Sequence, residues 1–350
     1  MRIHYLSDTW PWFGSHQCYS RVVDFVRPLA ESVDEVKVRY DFLNRVIGKF
    51  HLMTSGQSAR KDSVFAAAEF KYLIRHLKAY SPQEVYHVLF FDTHFGMFGR
   101  WEKAPRNLIA TLHHPAGRTY PAGMERALER LSSAIVMYRG GAEYFSRYIG
   151  RGRVKFVHYG VDVGYFSPGT GPGEGPIRLF FTGQNGRNLP MLKRILPVIF
   201  DKFPDVVVDI LVPSKVFGSL GAGSRIRDEK VKWYPSLGEA VVRDLYRQSY
   251  LLLMPMEDSG VNTAIVEAMA SGLPVVTTDV GGVRDYGGGT VYPVVKNNDD
   301  DAMIALVERY ISDRSWRDSV SEASRNFAVE DLAWEKVAQR HLEVYRELAG

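Results

Sequence analysis

Short apolar runs recur along the chain, separated by segments whose apolar residues fall three and four positions apart. In the first half the strand-like runs are RIHYLSD (2–8), EVYHVLFFD (84–92), NLIATLHH (107–114), SAIVMY (133–138) and VKFVHYG (154–160). Helical periodicity marks YSRVVDFVRPLAES (19–32) and FAAAEFKYLIRHLKAY (65–80). This alternation predicts an open, parallel α/β sheet. The stretch SPGTGPGEGPI (167–177) then interrupts it with a density of Gly and Pro that no element interior tolerates, and reads as an interdomain linker.

Beyond the linker the rhythm resumes. RLFFTG, MLKRILPVIFDKF, VVVDILVP, VKWYP, LGEAVVRDLYRQ, YLLLMP, TAIVEAMAS and PVVTTD alternate as strands and helices. DLAWEKVAQRHLEVYREL (331–348) closes the chain as a long amphipathic helix. The expected organisation is a first domain over 1–166, the linker 167–177, a second domain over 178–328, and the helical segment 329–350. Two doubly wound halves of this kind are expected to flank a cleft, with ligands beyond the carboxyl ends of the strands.

Composition narrows the class. A chain of 350 residues, 45% apolar and 24% charged, suits two globular domains. The longest apolar runs fall far short of a membrane span. The N-terminus enters a strand-like run at once, unlike a signal peptide, and Cys18 is the single cysteine, so a cytoplasmic location is expected. The net charge of +4 is uneven: residues 1–165 hold 23 Lys and Arg against 15 Asp and Glu, and the remainder 21 against 25. The basic half is the better candidate for an anionic partner. A nucleic-acid binder is not expected, since interleaved aromatics and any recognised module are missing.

One carboxylate stands out. In SGVNTAIVEAMASGLPVVTTDVGGVRDY (259–286), Glu267 sits in a run otherwise apolar, small or glycine-bearing. A strand ends at Pro255, a loop follows, and a helix begins near Asn262 or Thr263, both good N-caps. Ser271 and Gly272 end that helix, with Pro274 beyond. Its N-terminus offers an anion-binding position, with Glu267 about one turn inside. Read on helix geometry alone, Glu267 is an ordinary early-helix glutamate favoured by the dipole.

The order of loop, small residue, helix with EAMASGLPVV, strand and TDVGG resembles the retaining GT4-type glycosyltransferases of the GT-B fold. The resemblance implies two Rossmann-like domains facing a cleft, with a C-terminal helix carrying Trp334 that crosses back to the first domain. It also implies that Glu267 binds the ribose hydroxyls of a UDP- or GDP-sugar donor, while Ser259, Gly260, Val261, Asn262 and Thr263 hold its sugar and phosphates. A carboxylate suits a vicinal diol because it accepts both hydroxyl protons. HYGVDVGYFSP (158–168) resembles the stretch that closes the family's first domain. DTWPWFGSHQ (8–17) matches the loop after the first strand, with Gly14 and Ser15 against the donor. His113 or His114 matches a histidine near the reacting sugar, and His114 is the candidate.

Two positions depart from the family pattern. The second glutamate expected eight positions before Glu267 is Ser259 here; Asp258, Glu257, or Ser259 with neighbouring backbone N–H groups can take its place, and Asp258 is preferred. Gln184 stands at the usual clamp arginine, leaving Arg187 as the cation for the diphosphate and Lys193 as a second, falling into the next helix. The implied reaction is retaining sugar transfer to a sugar, lipid-linked or small-molecule acceptor, without metal or other cofactor. No residues stand at metal-ligand spacing, and NNDDD (297–301) reads as a solvated turn. A sugar-nucleotide epimerase of the same fold and a degenerate partner of an active transferase are the alternatives. A peripheral contact with an anionic membrane surface is expected from the basic helix FKYLIRHLKAY (70–80), with Phe70, Leu73, Ile74 and Leu77 on one side.

Overall fold

The structure is a computed structural model that describes residues 1–8, 14–55, 62–77, 81–98, 107–113, 115, 123–171, 173–219 and 225–349. The chain divides into two compact units, one of Met1–Phe13, Cys18–Tyr159 and Trp334–Gly350, the other of Gly14–Gln17 and Gly160–Ala333. The sequence puts these changeovers at 166 and 329. In the structure residues 160–177 belong with the second unit, where Arg247 donates hydrogen bonds to Ser167 and Tyr165.

The first unit contains strands β1 (Arg2–Ser7), β2 (Ser32–Lys37), β3 (Val85–Val88), β4 (Leu108–Leu112), β5 (Ser133–Val136) and β6 (Val154–Phe156). All pairs are parallel and the order is β2-β1-β3-β4-β5-β6. β3, β4 and β5 are buried at every position, as expected of central parallel strands covered on both faces. Their apolar runs are therefore continuous. β2, SVDEVK, forms an edge and is mostly half-buried or exposed, which accounts for its mixed polar sequence.

The helix Trp334–Ala349 belongs to this unit, and Trp334, Val337, Ala338, Leu342 and Tyr345 are buried in it. It is fastened by a buried polar network as well as by apolar packing. Tyr345 Oη lies 3.0 Å from Tyr5 Oη, 2.6 Å from His87 Nδ1 and 3.2 Å from His341 Nδ1. His87 Nε2 reaches Thr111, and Tyr19 reaches both Thr111 and His341 Nε2. Burial holds the His341 imidazole down to about 3 and His87 well below its ordinary value, so both remain neutral and each ring can donate at one nitrogen and accept at the other.

The second unit contains β7 (Ile177–Thr182), β8 (Val206–Val212), β9 (Val231–Pro235), β10 (Leu251–Met254), β11 (Val275–Thr278) and β12 (Val294–Val295). Its parallel order, read from the other edge, is β9-β8-β7-β10-β11-β12. In chain order this is 3-2-1-4-5-6, the doubly wound arrangement that places its ligand crevice at the carboxyl ends of the two strands flanking the reversal. Here those strands are β7 and β10.

Tyr345→Phe removes the hydroxyl shared by Tyr5, His87 and His341 and leaves buried groups without their partner. The expected loss is about 1–3 kcal/mol of stability, read as a lower midpoint in urea unfolding. An unchanged midpoint would show that the network contributes nothing to holding the closing helix.

Candidate functional site

The carboxyl ends of β7 and β10 are built from two loops that interlock through backbone. Gly186, in the loop after β7, has φ +66°, and a Cβ on it would lie 2.0 Å from the carbonyl oxygen of Asp258. Gly281, after β11, has φ +53°, and its Cβ would meet the carbonyl oxygen of Ser259 at 1.9 Å. Only glycine fits either place. Hydrogen bonds complete the clasp: Glu257 N–H donates to Gly186 O at 2.8 Å, Gly282 N–H to Ser259 O at 2.7 Å, and Asn188 N–H to Pro255 O at 2.9 Å.

This clasp sets the start of the helix Thr263–Ala270. Asn262 is its N-cap, accepting from the N–H groups of Ala264 and Ile265. Every residue from Ala264 to Ala270 is buried, Glu267 included at 5% exposure. The solvated glutamate expected from helix geometry alone is not what the structure shows. Glu267 Oε2 accepts from the Tyr246 hydroxyl at 2.8 Å, and Oε1 from the Gln17 amide at 3.1 Å. Burial is the main force on its acidity and outweighs these two hydrogen bonds, raising it from 4.5 to about 8.

Arg187 approaches the Asn262 cap from the loop after β7. Its guanidinium donates to the carbonyls of Thr182 (2.8 Å) and Asn185 (2.8 Å) and approaches Asn262 Oδ1 at 3.4 Å. No carboxylate pairs with it among the described residues, and burial lowers its pKa to about 10. Gly183, with φ +91°, leaves the space that the guanidinium fills. A desolvated cation without a counter-charge, beside a capped helix start, is an arrangement suited to receive an anion.

The segment Gly14–Gln17 belongs to the same unit. A Cβ on Gly14 would fall 2.1 Å from the Glu239 carboxyl carbon. Glu239 accepts from Ser15 N–H and Oγ and from His16 N–H at 2.7–3.2 Å, so these amides already hold an anion. His16 Nδ1 lies 2.6 Å from Asp162 and its ring stacks on Tyr165 at 3.8 Å.

The remaining sequence candidates divide. Ser259, Gly260 and Asn262 are buried in the clasped loop, and Val261 and Thr263 are half-buried there. Ser259 lines a narrow crevice with Ile265, Val283, Tyr286 and Tyr292. Glu257 and Asp258 are exposed. Lys193 is exposed on the helix Leu189–Lys202, one turn beyond its Asn188 cap. His114 lies outside the described residues, as does the stretch 9–13 before Gly14. His113 is engaged in the first unit, bonded to Asp92 and to Leu89 O and stacked on Phe90. In NNDDD, Asn297 and Asn298 accept from Asn188, and Asp299 caps the helix Asp300–Ser312. Gln17, Tyr246 and Glu239 were not anticipated: nothing in a linear pattern signals that residues 250 and 21 positions away will face Glu267.

Comparison with known proteins agrees with this picture. Residues 180–313 match the family model described as glycosyl transferases group 1. The D-inositol 3-phosphate glycosyltransferase of Streptomyces avermitilis is 26% identical over 220 residues, covering 56% of this chain and 47% of that protein. The corresponding Thermobifida fusca protein is 28% identical over 221 residues, covering 56% and 50%. The chain thus spans about half the length of the curated relatives it matches. Among solved structures, Anabaena HepE, in complex with UDP and glucose, superposes with a TM-score of 0.74 at 14% identity over 99% of this chain and all of that one. The GT-B fold is established by this likeness and by the two parallel sheets. The GT4-like resemblance read from residues 259–286 is borne out by these matches, the group 1 glycosyl transferase model covering residues 180–313 of the second unit.

Because the buried carboxyl is neutral in the folded protein until about pH 8 but ionises near 4.5 when unfolded, holding it costs stability that grows as pH rises through that interval. Glu267→Gln removes the cost. The variant is expected to exceed the parent by about 2–5 kcal/mol at pH 8.5, each pKa unit being worth about 1.4 kcal/mol, and to converge with it toward pH 4. Denaturant unfolding at the two pH values measures this; a pH-independent difference contradicts the buried, perturbed carboxyl.

Proposed function

We propose that this protein is a glycosyltransferase that moves a sugar from a UDP- or GDP-sugar to an acceptor hydroxyl with retention and without a metal at the transfer centre. The observation that carries the reading is the buried Glu267 on the helix capped by Asn262, together with Arg187, which approaches that cap and has no carboxylate partner among the described residues, at the carboxyl ends of β10 and β7. A nucleotide sugar has complementary groups: a ribose diol that donates to a carboxylate, and a diphosphate that takes a guanidinium. On this reading the diol replaces the Gln17 amide at Glu267. Charge builds on the departing diphosphate as the anomeric bond breaks, so Arg187 and the helix start act most strongly in the transition state. Ser259 and the exposed Asp258 border the sugar, and a sugar, lipid-linked or small molecule is the acceptor. The solved relative bound to UDP and glucose supports the donor class.

Calorimetry with UDP, GDP and their sugars tests this directly. Glu267→Ala is expected to weaken donor binding by about 1.5–3 kcal/mol, and Arg187→Ala to slow transfer more than it weakens the free nucleoside diphosphate. Absence of binding by every nucleoside diphosphate would leave a degenerate partner as the better reading.

The acceptor side supports a peripheral location at an anionic membrane, through a different helix from the one expected. Phe70 and Leu73 are half-buried, Ile74 is exposed, and Leu77's side chain lies outside the described residues. The helix Phe42–Ser55 instead exposes Phe42 (82%), Leu43, Val46, Phe50 and Met53 (84%). At 100° per residue these five occupy an arc of about 100°, with exposed Arg45 and Lys49 adjoining it and forming no ion pair among the described residues. The opposite face buries Asn44 and His51. No helix among the described residues is long and apolar enough to cross a membrane.

Vesicles containing phosphatidylglycerol are therefore expected to sediment the protein at low salt and release it as salt rises. Phe42→Ser with Met53→Ser should abolish capture. Equal recovery in the supernatant with anionic and neutral vesicles would exclude the contact.

A further inference from the structure

The first unit assembles a second group of chemically competent side chains that plays no part in the nucleotide site. His4 on β1 and Asp34 on the edge strand β2 are register partners, so their side chains share one face of the sheet. The π-helical turn Leu73–Leu77 brings His76 to them. One ligand atom from each of the three residues lies within 4.8 Å of the others.

The tautomer that a neutral His4 adopts is set by its neighbour. Its Nε2 lies 2.9 Å from Glu84 Oε2, and a carboxylate accepts only, so Nε2 donates there and the lone pair of that tautomer is on Nδ1. That Nδ1 is buried and has no hydrogen-bond partner. His76 Nε2 is also buried and without one, 3.4 Å from Asp34 Oδ2. Buried polar atoms are ordinarily satisfied, and two bare imidazole nitrogens beside one carboxylate call for an explanation.

We propose that His4, Asp34 and His76 form a zinc site, with Glu84 orienting His4 from behind. Two imidazoles and a carboxylate match the ligand types of zinc and not the all-oxygen shells of magnesium or calcium. A carboxylate on the far nitrogen of a ligating histidine is the usual outer partner of such a ligand. Three ligands at zinc distances stand about 3.4 Å apart, so the group closes by up to about 1.4 Å on binding, mainly through Asp34, whose side chain is 35% exposed. Arg75 Nε, which neutralises Asp34 at 3.2 Å, belongs to a 61% exposed side chain that can swing aside. Water completes the coordination from the open side. The ion would fasten the turn Leu73–Leu77 to the edge of the sheet. The three residues are 30 and 42 positions apart in sequence, so no metal-ligand spacing announces them.

The test uses the full chain, free of any histidine tag and stripped by a chelator, titrated with zinc alone. One equivalent is expected to bind and to raise the melting temperature, and cobalt in its place should give visible ligand-field absorption. Asp34→Asn and His76→Gln should each weaken binding about ten-fold or more, and Glu84→Gln should weaken it about ten- to hundred-fold without altering the ligands themselves. Asp34→Asn, at a partly exposed edge, keeps the test decisive if His76→Gln fails to fold. No bound equivalent, or zinc binding that survives Asp34→Asn undiminished, overturns the proposal.

Discussion

Contact between bare backbones at Gly186 and Gly281 is the constraint on which the nucleotide-type site depends. Carbonyl oxygens of Asp258 and Ser259 sit where a Cβ of either glycine would be, so the loop after β10 can lie in only one place. Fixing that loop fixes Asn262, and Asn262 fixes the first turn of the helix that carries Glu267. The same loop after β7 carries Arg187, one residue from Gly186. An acidic and a basic side chain, one from the helix after β10 and one from the loop after β7, thus acquire a defined separation through backbone geometry, with no ion pair between them among the described residues.

That arrangement is electrostatically expensive. Among the described residues Glu267 is buried with neutral donors only, and Arg187 is desolvated with carbonyls only. Both depart from their ordinary acidities in the direction that opposes charge. A core selected for stability alone would pair them or replace them with apolar side chains. Two groups held this way suit a site that binds a ligand offering both a donor and an anion. Tyr246 marks the coupling: burial raises its pKa first, Glu267 raises it further, and Arg187 opposes the rise, so the three groups share one field.

Much of this was legible in the sequence where one strong pattern dominated. Continuous apolar runs located β3, β4, β5 and β10 because both faces of those strands are covered. The stretch around Glu267 carried its own caps and stop signals, Asn262 and Gly272 among them. The edge strand β2 was missed because SVDEVK answers to half-burial and not to a core. The helix Phe42–Ser55 was missed for the converse reason: its apolar residues lie on the exposed side, so the periodicity does not mark a buried face. The partners of Glu267 and the cluster at His4 come from pairings made only by the tertiary fold, which local periodicity does not encode.

Histidines in the first unit show how far neighbours, and not residue type, decide charge in this fold. His341 lies among phenols and is held neutral by burial, down to about 3. His94 is equally buried, and burial alone would lower it too. Asp8 at 2.7 Å and Glu69 at 2.9 Å outweigh that effect and raise it to about 9, so an imidazolium is sandwiched between two carboxylates. The linkage signs are opposite. The contribution of His341 is present above its unfolded value of about 6.5 and is lost as pH falls toward 3; that of His94 is complete below about 6.5 and is lost as pH rises through 9. Acid therefore strains the network that fastens the closing helix, whereas alkali strains the end of β1, where Asp8 leads into the segment that ends at Gly14–Gln17.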